Sequence, residues 1–438
     1  MMGRTWLRAV AVCGTLALWA SPSAADDIIP ALTLQTGVTY TRSPGNDSDD
    51  YFVAATPSVS YFLEGDRTLA IFRYAFTGSL NSVLPNGIAN ELSALASYDV
   101  APRTRLLFGA GALQALIGNY LVVRRSAATQ FGGLPPLNTS LLTVSVTQGL
   151  SHEITPVVRL IQGVTGTYVT SLDPDVQLRN YLATASVGVA RSWEFDALGG
   201  DLSFQYARTF LPPLPTLQIM TVAAGPTWDH DFTPNLSMSA GLSAQLIFSP
   251  DPKTTPQIGP AAVGTLFYAS QGSGIGLELL YGVQPNVLLG QLLRSEQATL
   301  RGFTPLSERF NVVLGLSGGY LHGENVDLGG GGRFNNTFDA VLHDADITWA
   351  ATDSLAVFVR YQFIGQGKAD GFGGSPAIVR HGAILGMDLF GARPPPRSRL
   401  PQGKFPQRVD GADGPQLARP GGAGPGAPGG PGGSSQFR

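Results

Sequence analysis

The chain has 438 residues, of which 55 are Gly and 32 are Pro, and only 13% are Asp, Glu, Lys or Arg. An apolar fraction of 43% disfavours a disordered chain, and the scarcity of charge disfavours a coiled coil. The formal net charge of −3 does not suggest a nucleic-acid partner, so none is expected.

The N-terminal residues have the pattern of a secretory signal peptide. Arg4 and Arg8 form a basic segment, residues 9–20 are apolar, and Ser23 and Ala25 are the small residues expected before a cleavage site. We therefore expect residues 1–25 to be removed on export. Cys13, the only cysteine, lies in this segment, so the exported chain is expected to have no disulfide and no thiol chemistry.

Residues 26–390 alternate between two kinds of side chain with a period of two. Between residues 236 and 248 the even positions are apolar, whereas odd positions such as Ser237, Gly241 and Gln245 are small or polar. This period indicates strands rather than helices. The pattern predicts about eighteen strands, near residues 31–42, 51–63, 68–80, 88–100, 104–114, 141–151, 156–168, 180–193, 201–210, 216–229, 236–249, 259–269, 275–284, 290–302, 309–322, 337–350, 355–364 and 377–390.

Two of these strands leave details open. The facing of the 290–302 strand is ambiguous, so sixteen strands stay open as an alternative count. The 337–350 strand is expected to contain a β-bulge near His343.

The second face of the predicted strands is rich in Gly, Ser, Thr and Gln rather than in charges, and aromatic residues such as Tyr40, Tyr181 and Phe248 stand near strand ends. Tight turns alternate with longer polar or Gly-rich connections. These features resemble bacterial outer-membrane β-barrels of porin-like size. The resemblance implies an all-β fold, a transmembrane antiparallel up-and-down barrel that occupies residues 26–390.

The last predicted strand strengthens this resemblance. Gly382, Leu385, Met387 and Phe390 are similar to the C-terminal signal that the barrel-assembly machinery reads, which makes that machinery an expected partner. Unlike such proteins, the chain continues beyond the aromatic residue. Residues 391–438 contain 12 Gly, 10 Pro and a net charge of +5, so we expect a disordered, basic periplasmic tail.

Charged residues suggest where solutes would be selected. The resemblance implies that the long 115–140 connection can enter the lumen, where Arg124 and Arg125 would favour anions at a constriction, although a mobile external loop stays open as the alternative. Further charges are expected to line the lumen, namely Arg73, Glu91, Arg105, Arg159, Arg191, Glu278, Asp344, Asp346 and Arg360.

The sequence favours a passive channel for small hydrophilic solutes or ions in the outer membrane of a Gram-negative bacterium. The alternative is a closed structural barrel that anchors the tail and transports nothing. No catalytic constellation, metal site or cofactor motif stands out, so we expect neither an enzyme nor a cofactor. Outer-membrane lipid is an expected partner, and a homotrimer and a periplasmic cell-wall polymer bound by the tail stay open.

Overall fold

The structure is a computed structural model that describes residues 27–43, 46–65, 67–83, 86–117, 139–173, 177–210, 212, 216–250, 254–270, 272–286, 291–307, 310–326, 337–352, 354–367 and 377–390. The predicted signal peptide at residues 1–25 and the predicted tail at residues 391–438 lie outside these ranges. No helix in the described part of the chain is long and apolar enough to cross a membrane.

Eighteen antiparallel strands form one closed sheet. In chain order they are β1 (Asp27–Ser43), β2 (Asn46–Glu64), β3 (Thr68–Asn81), β4 (Gly87–Ala101), β5 (Thr104–Ile117), β6 (Thr139–Thr155), β7 (Val158–Ser171), β8 (Arg179–Ser192), β9 (Asp196–Phe210), β10 (Leu217–Thr233), β11 (Leu236–Phe248), β12 (Gln257–Ser270), β13 (Ser273–Asn286), β14 (Gln291–Ser307), β15 (Val312–Asn325), β16 (Thr337–Thr352), β17 (Leu355–Gln366) and β18 (Ile378–Phe390). Each strand pairs with the next one in sequence, and β18 closes the barrel on β1. The predicted class and the count of eighteen are therefore confirmed.

The two ends of the barrel differ. At one end, called the turn end, β1 begins at Asp27, β18 finishes at Phe390, and the connections are tight. Thr155, Thr233 and Thr352 each end a strand there, and each hydroxyl accepts a hydrogen bond from a backbone N–H of the following turn or strand. The opposite end, called the loop end, carries the longer connections of the chain, such as the one between β5 and β6.

Burial distinguishes the outer face of the wall from the inner one. Along β8 the odd positions Tyr181, Val187 and Val189 are exposed, whereas the even positions Asn180 and Leu182 are buried. Since successive side chains of a strand point to opposite faces, the exposed apolar set is the outer phase and the small, polar set is the inner phase. Directly paired residues share a face, so the strand register extends this assignment around the whole wall.

Aromatic side chains mark the edges of the outer apolar band. Trp193, Trp228 and Trp349 are exposed near the turn end, and Tyr51 and Tyr320 are exposed near the loop end. Such girdles are typical of the two interfaces of a membrane-spanning barrel. The expectation of a lipid-facing band with aromatic residues at strand ends is confirmed.

The expected β-bulge near His343 is wrong. The register of β16 with both neighbours is continuous through His343, and its one irregularity with β17 lies between Ala350 and Thr352. His343 stays in the outer phase because Gly318, its partner on β15, leaves room for the imidazole. The ring also stacks on Phe363 with centroids 6.0 Å apart, so no extra residue is needed to reorient it.

Large inward rings are accommodated by glycines on the neighbouring strand. The ring of Phe358 lies where a Cβ on Gly386 would be, and the two residues are register partners. A Cβ on Gly37 would lie 2.9 Å from Cζ of Phe52, its own partner on β2. Phe52 and Phe358 are 3% and 5% exposed, so these rings lie flat against the wall instead of projecting across the lumen.

Candidate functional site

The inner phase of the wall carries most of the predicted lumen charges. Arg73 of β3 pairs with Ser60, an inner-phase residue of β2, so Arg73 also belongs to the inner phase. The register of β3 with β4 assigns the inner positions of β4 in the same way, and so on around the barrel. The same parity places eight of the nine predicted residues on the inner face: Arg73, Glu91, Arg105, Arg159, Glu278, Asp344, Asp346 and Arg360.

Arg191 is the exception, and its predicted place in the lumen is wrong. It pairs with Val158 and follows Val187 and Val189 in the outer phase of β8. An arginine is tolerated there because it lies at the turn end, where a long side chain can reach the aqueous boundary. Its guanidinium lies 5.2 Å from the ring centroid of Trp193, which is a cation–π geometry.

Inner charges on six strands form a belt, defined as Arg73, Asp201, Glu278, Arg301, Asp346 and Arg360. Four of them stand five residues after the start of β3, β9, β13 and β17, and these strands all begin at the turn end. Arg301 and Asp346 stand six residues before the ends of β14 and β16, which finish at the turn end. The six side chains therefore leave the wall at a similar height.

The belt is densest across β14 to β17. Asp346 is the register partner of Arg360, and Arg301 faces the same side as Ser317, which in turn partners Asp344. Gly315 opposite Asp346 leaves space for that carboxylate, since a Cβ there would lie 2.7 Å from its Oδ1. Glycine and serine on β15 thus keep this wall thin beneath the charged side chains.

Two ion pairs lie on the inner face close to the turn end. Nε of Arg105 lies 2.6 Å from Oδ1 of Asp99, and a guanidinium nitrogen of Arg159 lies 3.4 Å from Oε1 of Glu153. Each pair joins neighbouring strands next to a tight turn. Because both charges of a pair are close together, Arg105 and Arg159 contribute less to the field of the lumen than belt residues do.

Sequence reasoning missed two members of the belt. Asp201 pairs with Gly188 and Gly225 on the inner face, and the apolar series Leu198, Leu202 and Phe204 of β9 was a sufficient signal for that facing. Arg301 lies in the strand whose facing was ambiguous. Its neighbour Leu300 is 47% exposed in the outer phase, which places Arg301 inside.

Acidic residues outnumber arginines on the inner phase of the described strands. The acids are Asp50, Glu91, Asp99, Glu153, Asp201, Asp229, Asp231, Glu278, Asp344, Asp346 and Asp388, and the arginines are Arg73, Arg105, Arg159, Arg301, Arg360 and Arg380. Arg380 is 7% exposed and donates a hydrogen bond from Nε to the Thr41 hydroxyl at 2.9 Å. The described wall therefore presents an excess of negative charge to the lumen.

Other predicted residues have separate outcomes. Arg124 and Arg125 lie outside the described residues, so the proposed constriction stays a prediction. In β18, Leu385 and Met387 belong to the exposed outer phase, whereas Gly382 and Phe390 belong to the inner phase. Within the described ranges, no group of three His, Cys, Asp or Glu side chains has a geometry that could hold a metal ion.

No protein-family model matches the chain, and no curated protein matches it in sequence. Among solved structures, it is similar to OccK2 (OpdF) of Pseudomonas aeruginosa in complex with glucuronate, at 12% identity and a TM-score of 0.44, over 83% of this chain and 98% of that one. The siderophore receptor PirA from Pseudomonas aeruginosa matches at 11% identity and a TM-score of 0.43, over 85% and 81% of the two chains. Acinetobacter baumannii OccAB3 matches at 11% identity and a TM-score of 0.40, over 83% and 99%.

With identities this low, what can be said of this chain rests on its own residues. The wall is closed, the outer face carries an apolar band between aromatic girdles, and the inner face is polar and charged. This is the architecture of a porin-like outer-membrane β-barrel.

Proposed function

We propose that the protein is a passive channel of the Gram-negative outer membrane that conducts small hydrophilic solutes or ions. The observation that carries this proposal is a closed wall of eighteen strands whose inner phase is small, polar and charged. Side chains fill the interior of an eight-stranded barrel, whereas barrels of sixteen to eighteen strands are wide enough for an aqueous lumen.

Diffusion through such a lumen would be filtered by its width and by the charges of its wall. The belt places arginines on β3, β14 and β17 and acids on β9, β13 and β16, so a solute passing this level meets both signs. The acidic excess of the described wall supports a preference for cations. Arg124 and Arg125 would oppose it if the 115–140 connection enters the lumen.

The same proposal gives the barrel its orientation and partners. An even number of strands places both ends of the barrel at the turn end, which we assign to the periplasm because short periplasmic turns oppose longer external loops in such barrels. Cleavage of the signal peptide, insertion by the barrel-assembly machinery and assembly into a homotrimer belong to this proposal. The net charge of +5 on residues 391–438 supports binding of an anionic cell-wall polymer by the tail.

Single-channel conductance tests the proposal. Refolded residues 26–438 in a planar bilayer should give discrete, nearly ohmic current steps, and the reversal potential in a salt gradient should report weak cation preference. Strand content and protease resistance of the same reconstituted sample establish that the barrel is folded and inserted. A folded and inserted barrel that carries no current would contradict the channel.

A further inference from the structure

The wall has a seam between β12 and β13 at the loop end. Their register stops at the pair Ala262 and Tyr281, although β12 begins at Gln257 and β13 continues to Asn286. Both strands keep their other neighbours over these residues, since β12 stays paired with β11 and β13 with β14. Five residues of each strand are thus formed as strand but are separated from each other.

The end of β13 leaves the wall toward the lumen. The backbone N–H of Val283 donates a hydrogen bond to Oε1 of Gln245 at 3.0 Å. Gln245 is an inner-phase residue of β11 that is 6% exposed, and β12 lies between β11 and β13 in the sheet. This hydrogen bond therefore joins two strands that are not neighbours in the sheet, across the inner face of β12.

Apolar packing shows the same displacement. Val283 of β13 and Leu292 of β14 share the outer phase of their strands, yet they are 4% and 3% exposed. They cluster with Ile219 of β10 and Ile247 of β11, which are inner-phase residues. Outer-phase side chains can pack on inner-phase ones only where one layer of wall lies inside the other. The arms, defined as residues 282–283 of β13 and 292–295 of β14, therefore lie on the lumen side of β10 and β11.

A glycine stands where β13 turns inward. Gly282 has φ of +158°, and a Cβ there would lie 3.2 Å from Cβ of Ala261 and 3.3 Å from Oε1 of Gln245. Both the backbone conformation and the close approach favour glycine. On the other side of the seam, Ile258 of β12 is 81% exposed, as expected for an outer residue that has lost one neighbouring strand.

The separated residues also match each other in register. If the pairing of Ala262 with Tyr281 continued, Gly259 would face Gln284, and Gln257 would face Asn286 at the very end of both strands. Pro260 and Pro285 lie in the separated segments, where a residue without an N–H leaves no ladder donor unsatisfied. The register therefore allows the two strands to pair across the seam, and the two prolines lessen the cost of leaving them unpaired.

We propose that the arms narrow the lumen at the loop end, and that they widen it by returning to the wall and pairing with β12. This deepens the proposed channel function and depends on it. In the tucked state, Val283 and Leu292 are anchored on Ile219 and Ile247. In the paired state, this contact is exchanged for the five missing register pairs between β12 and β13.

A disulfide across the seam tests the paired state. In the tucked state a Cβ on Gly259 has no heavy atom within 4 Å, so Gly259→Cys and Gln284→Cys can join only when β13 returns to β12. The matched control is Val263→Cys with Leu280→Cys, a pair on the same face of the same strands that the structure already holds in register. Cys13 is the only native cysteine and lies in the predicted signal peptide, so the mature background contains no competing thiol.

On oxidation we expect both disulfides to form. Gel mobility detects their formation independently of whether the barrel conducts. The 259–284 disulfide should increase single-channel conductance, reduction should reverse the increase, and the 263–280 disulfide should leave conductance unchanged. A control that joins while 259–284 does not would overturn the return to the wall. A 259–284 disulfide that leaves conductance unchanged would overturn the narrowing role.

A second variant weakens the tucked state without any disulfide. Leu292→Ala removes most of a side chain that is 3% exposed, so it should raise the rate of 259–284 cross-linking by about tenfold or more. An unchanged rate would contradict the anchoring role of Leu292. Because cross-linking is read on a gel, it tests the seam even if the wild-type barrel carries no current, which would contradict the proposed function instead.

Discussion

At the scale of single residues, the free width of the lumen depends on whether the inner-phase aromatic rings lie flat against the wall. Phe358 lies over Gly386, Phe52 over Gly37, and Phe303 of β14 over Gly274, where a Cβ would lie 2.7 Å from the ring. A flat ring covers the glycine backbone, and the glycine gives the ring a place outside the path of solutes.

Adding one methyl group to such a glycine should displace the ring that lies over it. Gly386→Ala places a Cβ against the ring of Phe358, which must then turn toward the lumen, so we expect a loss of about 1–3 kcal/mol in the free energy of unfolding. The matched control is Gly166→Ala, because a Cβ at Gly166 has nothing within 4 Å. Urea unfolding of both variants in detergent micelles measures the difference, and equal stabilities would contradict this displacement.

At the scale of an element, each strand is amphipathic in a membrane sense: one phase meets lipid and the other meets water. β17 illustrates this, since Val359 is 56% exposed in the outer phase, whereas Arg360 and Gln362 point inward. The alternation of two is what lets a charged residue follow an apolar one without exposing charge to hydrocarbon.

Moving the positive charge to the other phase tests this facing. Val359→Arg should lower the free energy of unfolding in lipid vesicles by about 2–4 kcal/mol, because the outer position lies in the apolar band. Gln362→Arg on the inner phase of the same strand should be nearly neutral, since it faces Asp344. Guanidinium titration of both variants distinguishes them; comparable losses would show that the facing assigned to β17 is wrong.

Near the strand ends, the alternation of apolar and polar residues no longer indicates which face a side chain occupies. Arg191 continues the outer phase of β8 at the turn end, and the outer-phase pair His322 and Asp339 interacts near the loop end, with Nδ1 and Oδ1 2.7 Å apart. Polar side chains near strand ends reach the headgroup level, so a polar residue there can belong to either face of the wall. Facing there has to be counted from the apolar residues in the middle of the strand.

At the scale of the whole molecule, the belt sets an electric field that no single strand determines. Arg73 and Arg360 lie on β3 and β17, which are separated only by β18, β1 and β2, whereas Asp201 and Glu278 lie on β9 and β13, on the other side of the ring. The two signs are thus partly segregated around the lumen.

Selectivity should follow the sign of the belt residue that is neutralised. Asp201→Asn with Glu278→Gln should move the reversal potential toward anions, and Arg73→Gln with Arg360→Gln should move it toward cations, because a confined lumen strengthens Coulomb attraction. Arg191→Gln is the matched control, since it removes an arginine from the outer phase and should change nothing. Inner variants that behave like this control would exclude the belt from the conducting path.

Closure of the wall also belongs to the whole molecule. β18 pairs with β1 from Val379 with Arg42 to Phe390 with Ala31, so the barrel is complete before residue 391. The assembly signal proposed in β18 is therefore internal to the chain, and its outer residues Leu385 and Met387 face lipid at the closing edge.

The sequence by itself determined the fold class and the facing of most strands, and it favoured eighteen strands over sixteen. These are local properties: the pleat turns successive side chains to opposite faces, so the series from Leu236 to Phe248 is sufficient to define both faces of β11. Turn residues such as Thr233 mark the strand ends in the same local way. Eight of the nine residues predicted to line the lumen lie on the inner face that this alternation assigns.

Only the tertiary structure decided where strands lie relative to partners far along the chain. The belt exists because its six residues stand at similar distances from the turn-end limits of their strands. At the seam, the backbone N–H of Val283 donates a hydrogen bond to Gln245, a residue two strands away. Alternation carries no information on such pairs, since period two is equally satisfied whether β13 stays in the wall or passes inside it. The face that a side chain occupies is set within its own strand. The level of the belt residues, the closure of the barrel and the displacement of the end of β13 depend on contacts between strands, so only the tertiary structure reveals them.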